Sequence, residues 1–422
     1  MPRVFIESHG CSLNLGEGEM MAGLLRKEGY AIAASPEQAD CVVLNMCSVK
    51  LKTERRMVRR AGELHMQRPL VVAGCIPPGR KFRRIPGVSL VNTQNLHHIG
   101  RAVSAAVDGH AVAYLLREER PKLGLPRIRR NPAVSIVPIS TGCDLACAFC
   151  VTTIIKGKLQ SYPMRAICDE VSRGLQEGCR EFWLTSQDNG AYLTGTGRSM
   201  LPELIRSVAA LDGEFRVRVG MTNPVHVKGV LDSLLDAYEH ANVYKFLHLP
   251  LQSGSDRILA EMGRGYTARE FLAIAAAFRA RFPESTLSTD VICGYPGESE
   301  EDFRETMAAL EELRPEMLHL SRYSPRDGTR AALQEQVHWG IVKERTRAGF
   351  RTFLGISAGR CAEWKGWSGR VLVSEEGKPG TMVAHNDAYR QIVIPGDASL
   401  LGRFVNVRVT GVGRHYLRGE LC

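Results

Sequence analysis

The chain reads as an α/β protein that ends in a small β-barrel, and three observations carry that class. Short apolar strands alternate with helical stretches over residues 1–116, six further strand–helix repeats follow over 133–355, and five short strands separated by Gly/Pro turns fill 360–422. Alternation predicts parallel sheets under helices, because a parallel crossover needs a long return path. Short strands punctuated by turns predict an antiparallel barrel.

In the first segment, strands are predicted at Val4–Glu7, Cys41–Asn45, Leu70–Ala73 and, more weakly patterned, Val88–Val91. A helix is predicted from Glu17 to Glu28, closed by Gly29. The stretch 117–132 carries six basic residues, two acidic ones, and Pro and Gly, which predicts a solvated linker. The second segment offers strands at Val134–Ile139, Glu181–Thr185, Phe215–Gly220, Tyr244–His248, Thr286–Ile292 and Met317–Arg322. Six β/α units in order predict a partial TIM-like (β/α)6 barrel with its chemistry at the C-terminal strand ends. The third segment predicts strands at Gly369–Ser374, Thr381–His385, Gln391–Pro395, Phe404–Val412 and Tyr416–Leu421, an OB-like platform of the kind that binds oligonucleotides.

The bulk numbers suit this. The 422 residues are 44% hydrophobic, as in globular proteins, and no apolar run is long enough to span a membrane. The start, Met1-Pro-Arg-Val-Phe, lacks a signal-peptide layout, so an intracellular, cytoplasmic protein without a membrane partner is expected. Twelve cysteines in such a chain point to metal rather than disulfides. The formal charge of +10 favours a polyanionic partner without separating a nucleic-acid binder from an ordinary basic enzyme.

The sharpest motif is Cys143-Asp-Leu-Ala-Cys147-Ala-Phe-Cys150, just after the first barrel strand. Three thiolates at this spacing supply one ligand fewer than a cubane iron–sulfur cluster needs, which leaves one iron open. A zinc knuckle normally pairs cysteines as C-x2-C with a fourth ligand nearby, and no second pair of that kind occurs. Cys11, Cys47 and Cys75 are far apart in sequence, yet each follows a predicted strand, and parallel strands end along one edge. They form a second candidate three-legged site, against the alternative that scattered cysteines are buried small hydrophobes. Cys41, Cys168, Cys179, Cys293, Cys361 and Cys422 show no partner pattern and read as structural.

Taken together, these features resemble the radical-SAM methylthiotransferase family along essentially the whole chain. Gly10-Cys-Ser-Leu-Asn14, Leu44-Asn-Met-Cys-Ser-Val49, Ala73-Gly-Cys75, the Cys143/Cys147/Cys150 triplet, His248-Leu-Pro-Leu-Gln-Ser-Gly254, Asp290-Val-Ile-Cys-Gly-Tyr-Pro-Gly-Glu298 and Tyr323-Ser-Pro-Arg-Asp-Gly-Thr329 carry the resemblance. Gly157-Lys-Leu-Gln-Ser-Tyr-Pro163, Leu184-Thr-Ser-Gln-Asp-Asn-Gly-Ala-Tyr192 and Gly220-Met-Thr-Asn-Pro224 are most similar to the archaeal and eukaryotic branch acting on threonylcarbamoyladenosine in tRNA.

The resemblance implies an N-terminal domain with an auxiliary [4Fe-4S] cluster on Cys11, Cys47 and Cys75. It implies a radical-SAM barrel with a second [4Fe-4S] cluster on Cys143, Cys147 and Cys150, and a C-terminal TRAM domain. S-adenosylmethionine would act as radical source and as methyl donor, so that an adenine C–H that no base can activate accepts sulfur and a methyl group. Further cofactor contacts are expected from Gln187 and Asp188, Gln252 and Ser253, and the turn Gly294 to Glu298. Related branches often carry Glu where Gln187 stands; each of these turns otherwise merely shapes the barrel rim. The implied partners are a tRNA anticodon stem-loop, an electron-donor protein and a sulfur source.

Lys50 to Arg60, Arg80 to Arg84 and Lys343 to Arg351 are candidate phosphate contacts, each with a solvated face as its plain alternative. Trp364, Trp367 and Tyr416 are candidates for base stacking or for core packing. Rival substrates are isopentenyladenosine in tRNA and a ribosomal-protein aspartate; a non-catalytic iron–sulfur RNA-binding protein would leave the incomplete ligand set of the Cys143/Cys147/Cys150 triplet unexplained.

Overall fold

A computed structural model describes residues 1–76, 85–118 and 120–422, folded as two compact units. The first comprises Met1–Arg130, Thr141–Leu145 and Cys150–Tyr162; the second comprises Asn131–Ser140, Ala146–Phe149 and Pro163–Cys422.

The first unit is built on a six-stranded, all-parallel sheet. Its strands are β1 (Arg3–Ser8), β2 (Ala31–Ile32), β3 (Cys41–Met46), β4 (Leu70–Gly74), β5 (Ser89–Asn92) and β6 (Ala113–Tyr114), in the order β2-β1-β3-β4-β5-β6. Every residue of β3 and β4 is buried, because successive side chains point to opposite faces and both faces are covered. Cys41, Val43, Val71 and Ala73 pack with Met20, Met21, Leu25 and Val103 of α1 (Ser12–Lys27) and α3 (Ile99–Val107). Val42, Leu44, Met46, Leu70 and Val72 pack with Met57, Ala61 and Leu64 of α2 (Leu51–His65). Each buried valine or leucine contributes about 1.5–3 kcal/mol.

Two expectations change here. α1 starts at Ser12, not Glu17, because Cys11 is already its extended N-cap and the first turn belongs to the loop that carries the cysteine. The stretch expected to be a solvated linker packs onto α1. Gly23 approaches it so closely that a Cβ there would lie 2.2 Å from the Pro126 carbonyl oxygen, Arg130 N–H donates to Glu19 Oε1, and Lys122 is only 5% exposed. The edge strands β2 and β6 were too short to show in the pattern.

In the chain between the two sheets, β8 (Ser140–Thr141), α4 (Thr152–Lys156) and β9 (Gln160–Ser161) are short. The second unit carries β7 (Val134–Pro138), β10 (Glu181–Thr185), β11 (Arg216–Val219), β12 (Phe246–His248), β13 (Thr286–Cys293) and β14 (Met317–Arg322). They form two parallel sheets, β11-β10-β7 and β12-β13-β14. The sheets are linked where Thr222 N–H donates to the His248 carbonyl and Val217 bridges Val243. This is the expected partial barrel, with strand ends within two residues of expectation.

A single helix, α5 (Trp339–Ala362), leads to the closed barrel β15-β16-β17-β19-β18, made of Ser368–Glu376, Thr381–His385, Gln391–Pro395, Leu417–Leu421 and Phe404–Val412 respectively. Val371, Val373, Ile392, Ile394, Val407 and Trp364 form its core, so Trp364 is a packing residue, while Tyr416 is 42% exposed. Cys41, Cys179, Cys293 and Cys361 are buried, Cys168 is half-buried and Cys422 is exposed.

The loop after β16 docks on the parallel barrel. Asp387 accepts from Lys245 N–H through its carbonyl and from Arg216 through its carboxylate at 2.9 Å. Tyr389 packs on Tyr244 and Phe246 and stacks on His385 at 4.3 Å. Burial lowers the His385 imidazole to about 4, aided by Arg218 and opposed by Glu375. Unfolding restores a value near 6.5, so the unfolded chain binds the extra proton. Stability from this residue is therefore present above pH 6.5 and declines as the pH falls through about 4, by about 3 kcal/mol in full. Chemical denaturation from pH 7 to 4.5 should show His385→Phe losing less stability than the parent chain; equal losses would refute the assignment.

Candidate functional site

Parallel register brings three strand ends of the first unit level. Ser8 pairs with Asn45, Asn45 with Ala73, and Met46 with Gly74. Cys47 and Cys75 directly follow β3 and β4, and Cys11 heads α1 after the β1 loop. Gly10, at φ +129°, lets its loop touch the neighbouring one: a Cβ there would sit 2.7 Å from Cys47 Cβ.

Two asparagines stitch the loops together. Asn14 Nδ2 donates to the His9 carbonyl at 3.1 Å and to the Met46 carbonyl at 2.7 Å. Asn45 Nδ2 donates to the Asn14 carbonyl at 2.7 Å. Cys75 N–H donates to the Met46 carbonyl, Ser48 Oγ donates to the Cys75 carbonyl, and the Cys75 thiol reaches Asn14 Oδ1 at 3.2 Å. Burial pushes the Cys75 thiol to about 12, against the pull of the Lys156 ammonium. It also raises Cys47, which in addition feels Cys11. These are sulfurs gathered in one electrostatic neighbourhood, and metal would displace their protons. As a donor set they fit a cluster with three protein ligands.

The second triplet lies on the one loop between β8 and α4. Cys143 N–H donates to the Gly157 carbonyl, and Asp144 Oδ1 accepts from Leu159 N–H. Cys150 Sγ accepts from Thr152 N–H at 3.4 Å and contacts Thr152 Oγ1 at 3.1 Å. Cys147 Sγ accepts from Arg264 Nη1 at 3.0 Å. Arg264 is 5% exposed and is also held by Tyr266. Burial works against its charge, but Tyr266 and Cys147 together hold its pKa above the ordinary arginine value. Donors aimed at sulfur favour thiolates and suit a cluster.

The sequence picked out neither Arg264 nor the two asparagines as site residues. Asn14 and Asn45 stand inside Gly10-Cys-Ser-Leu-Asn14 and Leu44-Asn-Met-Cys47, where a polar residue beside each cysteine was the available signal. Arg264 is far from Cys147 in sequence and gave none.

The proposed cofactor contacts divide by what their polar atoms already do. Asp188 is 2% exposed, accepts from Asn223 N–H at 3.0 Å and pairs with His226 Nδ1 at 2.9 Å. Ser253 Oγ is shared with Thr306 Oγ1 and Ser255 N–H. Glu298 accepts from Gly294 N–H at 2.8 Å and pairs with Arg345 at 2.7 Å. These three tie the rim of the barrel together. Gln187 and Gln252 differ: each has a buried Oε1 without a hydrogen-bond partner among the described residues. Gln252 also holds φ +67° while its backbone bridges Val291. Buried polar atoms of this kind normally have partners, so two unanswered amides at strand ends fit a polar ligand.

The candidate phosphate contacts are corrected in part. Arg345, inside Lys343 to Arg351, is buried and bound to Glu298 and Glu300, so it secures α5 rather than facing a phosphate. Lys343, Arg347 and Arg351 are exposed. In α2, Arg60 is held by Glu7 at 2.8 Å, while Arg59 is 76% exposed. The group Arg80 to Arg84 lies outside the described residues.

Residues 137–310 match the radical SAM superfamily, 3–86 the uncharacterized protein family UPF0004, and 368–422 the TRAM domain. A probable threonylcarbamoyladenosine tRNA methylthiotransferase of Pyrococcus horikoshii is 40% identical over the full length of both chains. The threonylcarbamoyladenosine tRNA methylthiotransferase of Homo sapiens is 35% identical, covering 99% of this chain and 74% of its own. Among solved structures, the radical S-adenosylmethionine methyltransferase TsrM of Kitasatospora setae aligns at a TM-score of 0.56 and 13% identity, over 79% of this chain and 74% of its own, a likeness of fold. These domains imply [4Fe-4S] clusters and S-adenosylmethionine. With full-length identity at this level, the chain belongs to the threonylcarbamoyladenosine tRNA methylthiotransferase family of radical-SAM enzymes.

Proposed function

We propose that this protein converts N6-threonylcarbamoyladenosine next to the tRNA anticodon into its 2-methylthio derivative. Two clusters would serve it, one on Cys143, Cys147 and Cys150 and one on Cys11, Cys47 and Cys75. The observation that carries this reading is the pair of separate three-cysteine sets, each one ligand short of a closed cubane. The names of the full-length relatives favour threonylcarbamoyladenosine over isopentenyladenosine or a ribosomal-protein aspartate.

Bound cluster and S-adenosylmethionine together supply hydrogen-atom abstraction, the chemistry a non-acidic adenine C–H requires. The protein's own part is placement. Arg264 Nη1 donates to the Cys147 sulfur, Thr152 N–H donates to the Cys150 sulfur, and Gln187 and Gln252 offer amide oxygens to the cofactor's polar groups. Exposed Arg59, Lys343, Arg347 and Arg351 are available to phosphates of an anticodon stem-loop. An electron-donor protein and a sulfur source complete the reaction. A cytoplasmic setting suits it, and among the described residues no helix is long and apolar enough to cross a membrane.

The direct test is nucleoside mass spectrometry on tRNA from a host that lacks the modification, with and without this chain. A 2-methylthio-threonylcarbamoyladenosine peak is expected, lost on Cys143→Ala and on Cys75→Ala. No such peak from protein carrying full iron would move the substrate to isopentenyladenosine or the ribosomal protein.

A second expectation concerns the cofactor. Gln252→Ala and Gln187→Ala should each weaken S-adenosylmethionine binding about tenfold, the loss of about one buried hydrogen bond. Calorimetry on reconstituted protein with unchanged iron content measures this, and unaltered affinity in both variants would remove these residues from the cofactor site.

A further inference from the structure

Next to the cysteines of the first unit lies a buried ionic group that the chemistry above does not use. Glu17 is 0% exposed, Lys122 5% and Lys156 6%. Lys122 Nζ lies 2.6 Å from Glu17 Oε1 and 2.8 Å from Thr93 Oγ1. Lys156 Nζ lies 3.4 and 3.5 Å from the same two oxygens. Thr93 Oγ1 also donates to Glu17 Oε1, while Glu17 Oε2 has no partner among the described residues.

Two ammonium groups thus face one carboxylate, leaving one positive charge in surplus in a buried interior. Burying an uncompensated charge is costly, and such a charge normally faces an opposite one. Besides Glu17, the groups among the described residues that sustain such a charge are the sulfurs of Cys75 and Cys11, which become anionic once metal displaces their protons. Lys156 ends α4, whose Ile155 packs directly on Cys75 together with Val151, the residue just before the helix. Burial opposes the charge on Lys156, but Cys75 is the strongest influence sustaining it, ahead of Glu17, with Cys11 behind. The helix is fixed in that place from outside: Gln94 Nε2 donates to the Ile155 and Lys156 carbonyls, and Arg117 to those of Thr153 and Ile154.

A four-iron core carrying two positive charges and three thiolates has a net charge of about −1, and one-electron reduction makes it about −2. The surplus positive charge matches the first state and favours the second. We propose that Lys156, with Lys122 and Glu17, is a built-in counter-charge that raises the reduction potential of a cluster on Cys11, Cys47 and Cys75. This rests on the reading that those cysteines hold a cluster. Lys156 is a positioning residue, acting through charge rather than by contact with reacting atoms.

The test uses the full-length chain carrying Cys143→Ala, Cys147→Ala and Cys150→Ala, so that only the first-unit cluster remains. Iron content comes first, then an anaerobic redox titration followed by electron paramagnetic resonance. Lys156→Gln removes the surplus and should lower the reduction equilibrium constant at least tenfold, about 59 mV for one electron. Glu17→Gln enlarges the surplus and should shift the potential the other way, and Lys156→Arg should leave it near the parent value. A general loosening of the fold would not produce shifts of opposite sign. If Lys156→Gln fails to load iron, the upward shift in Glu17→Gln carries the test, and its absence overturns the proposal. Unchanged potentials in loaded Lys156→Gln and Glu17→Gln overturn the counter-charge alone. A parent that binds no iron overturns the cysteine reading and the counter-charge with it.

Discussion

Parallel pairing of Arg3–Ser8, Cys41–Met46 and Leu70–Gly74 decides where the cysteines of the first unit fall. Because these strands run level and in one direction, their loops open along one edge, and residues far apart in sequence become neighbours there. Had any one strand run antiparallel, its cysteine would lie at the other end of the sheet. The hydrophobic alternation that buries Val42 against one helix layer and Val43 against the other fixes the register. Packing and chemistry are therefore not separate achievements in this unit: the residues that fill the two cores also aim the loops.

A gathered set of sulfurs creates an electrostatic demand, and much of the polar interior answers it. A thiolate away from water is unfavourable unless donors or cations face it. Around Cys75 the answer is the ammonium of Lys156, delivered by α4 and balanced against Glu17 and Lys122. Around Cys147 it is the guanidinium of Arg264, and around Cys150 the Thr152 N–H. Arginine suits the Cys147 position because its charge persists at any accessible pH and its planar fork serves Tyr266 as well. Lysine at 156 presents a point charge that three sulfur neighbours can share.

Much of this was legible in the sequence, and the remainder was hidden for physical reasons. Strands such as Glu181–Thr185 and Phe404–Val412 fall where their patterns put them, because period-two alternation and flanking turns are local signals. The cysteine sets were visible through spacing and through their place after strands. What spacing cannot convey is long-range pairing. Lys122 sits in a run of charge and proline that reads as solvated, yet it is buried because Glu17, over a hundred residues away, requires a cation. Arg345 reads as one of a basic series, but Glu298 claims it. Charged residues are ambiguous in sequence for this reason: the same side chain is a surface cation or a buried counter-ion depending on a partner that is not nearby in the chain. The early start of α1 has a similar origin, since its first turn serves Cys11 and Asn14 and lacks an apolar stripe.

The second unit adds a constraint on how a substrate reaches the barrel. Glu181 and Arg216 open their strands, so the loop that places Asp387 on Arg216 and Tyr389 on Tyr244 and Phe246 fills the N-terminal end of the parallel barrel. Glu181 is buried there, accepting from Trp183 and Tyr244. The C-terminal β-barrel is thus anchored behind the strands by apolar and ionic contacts, while Gln187 and Gln252 lie at their forward ends. That forward end is the side on which a TIM-like architecture places its chemistry.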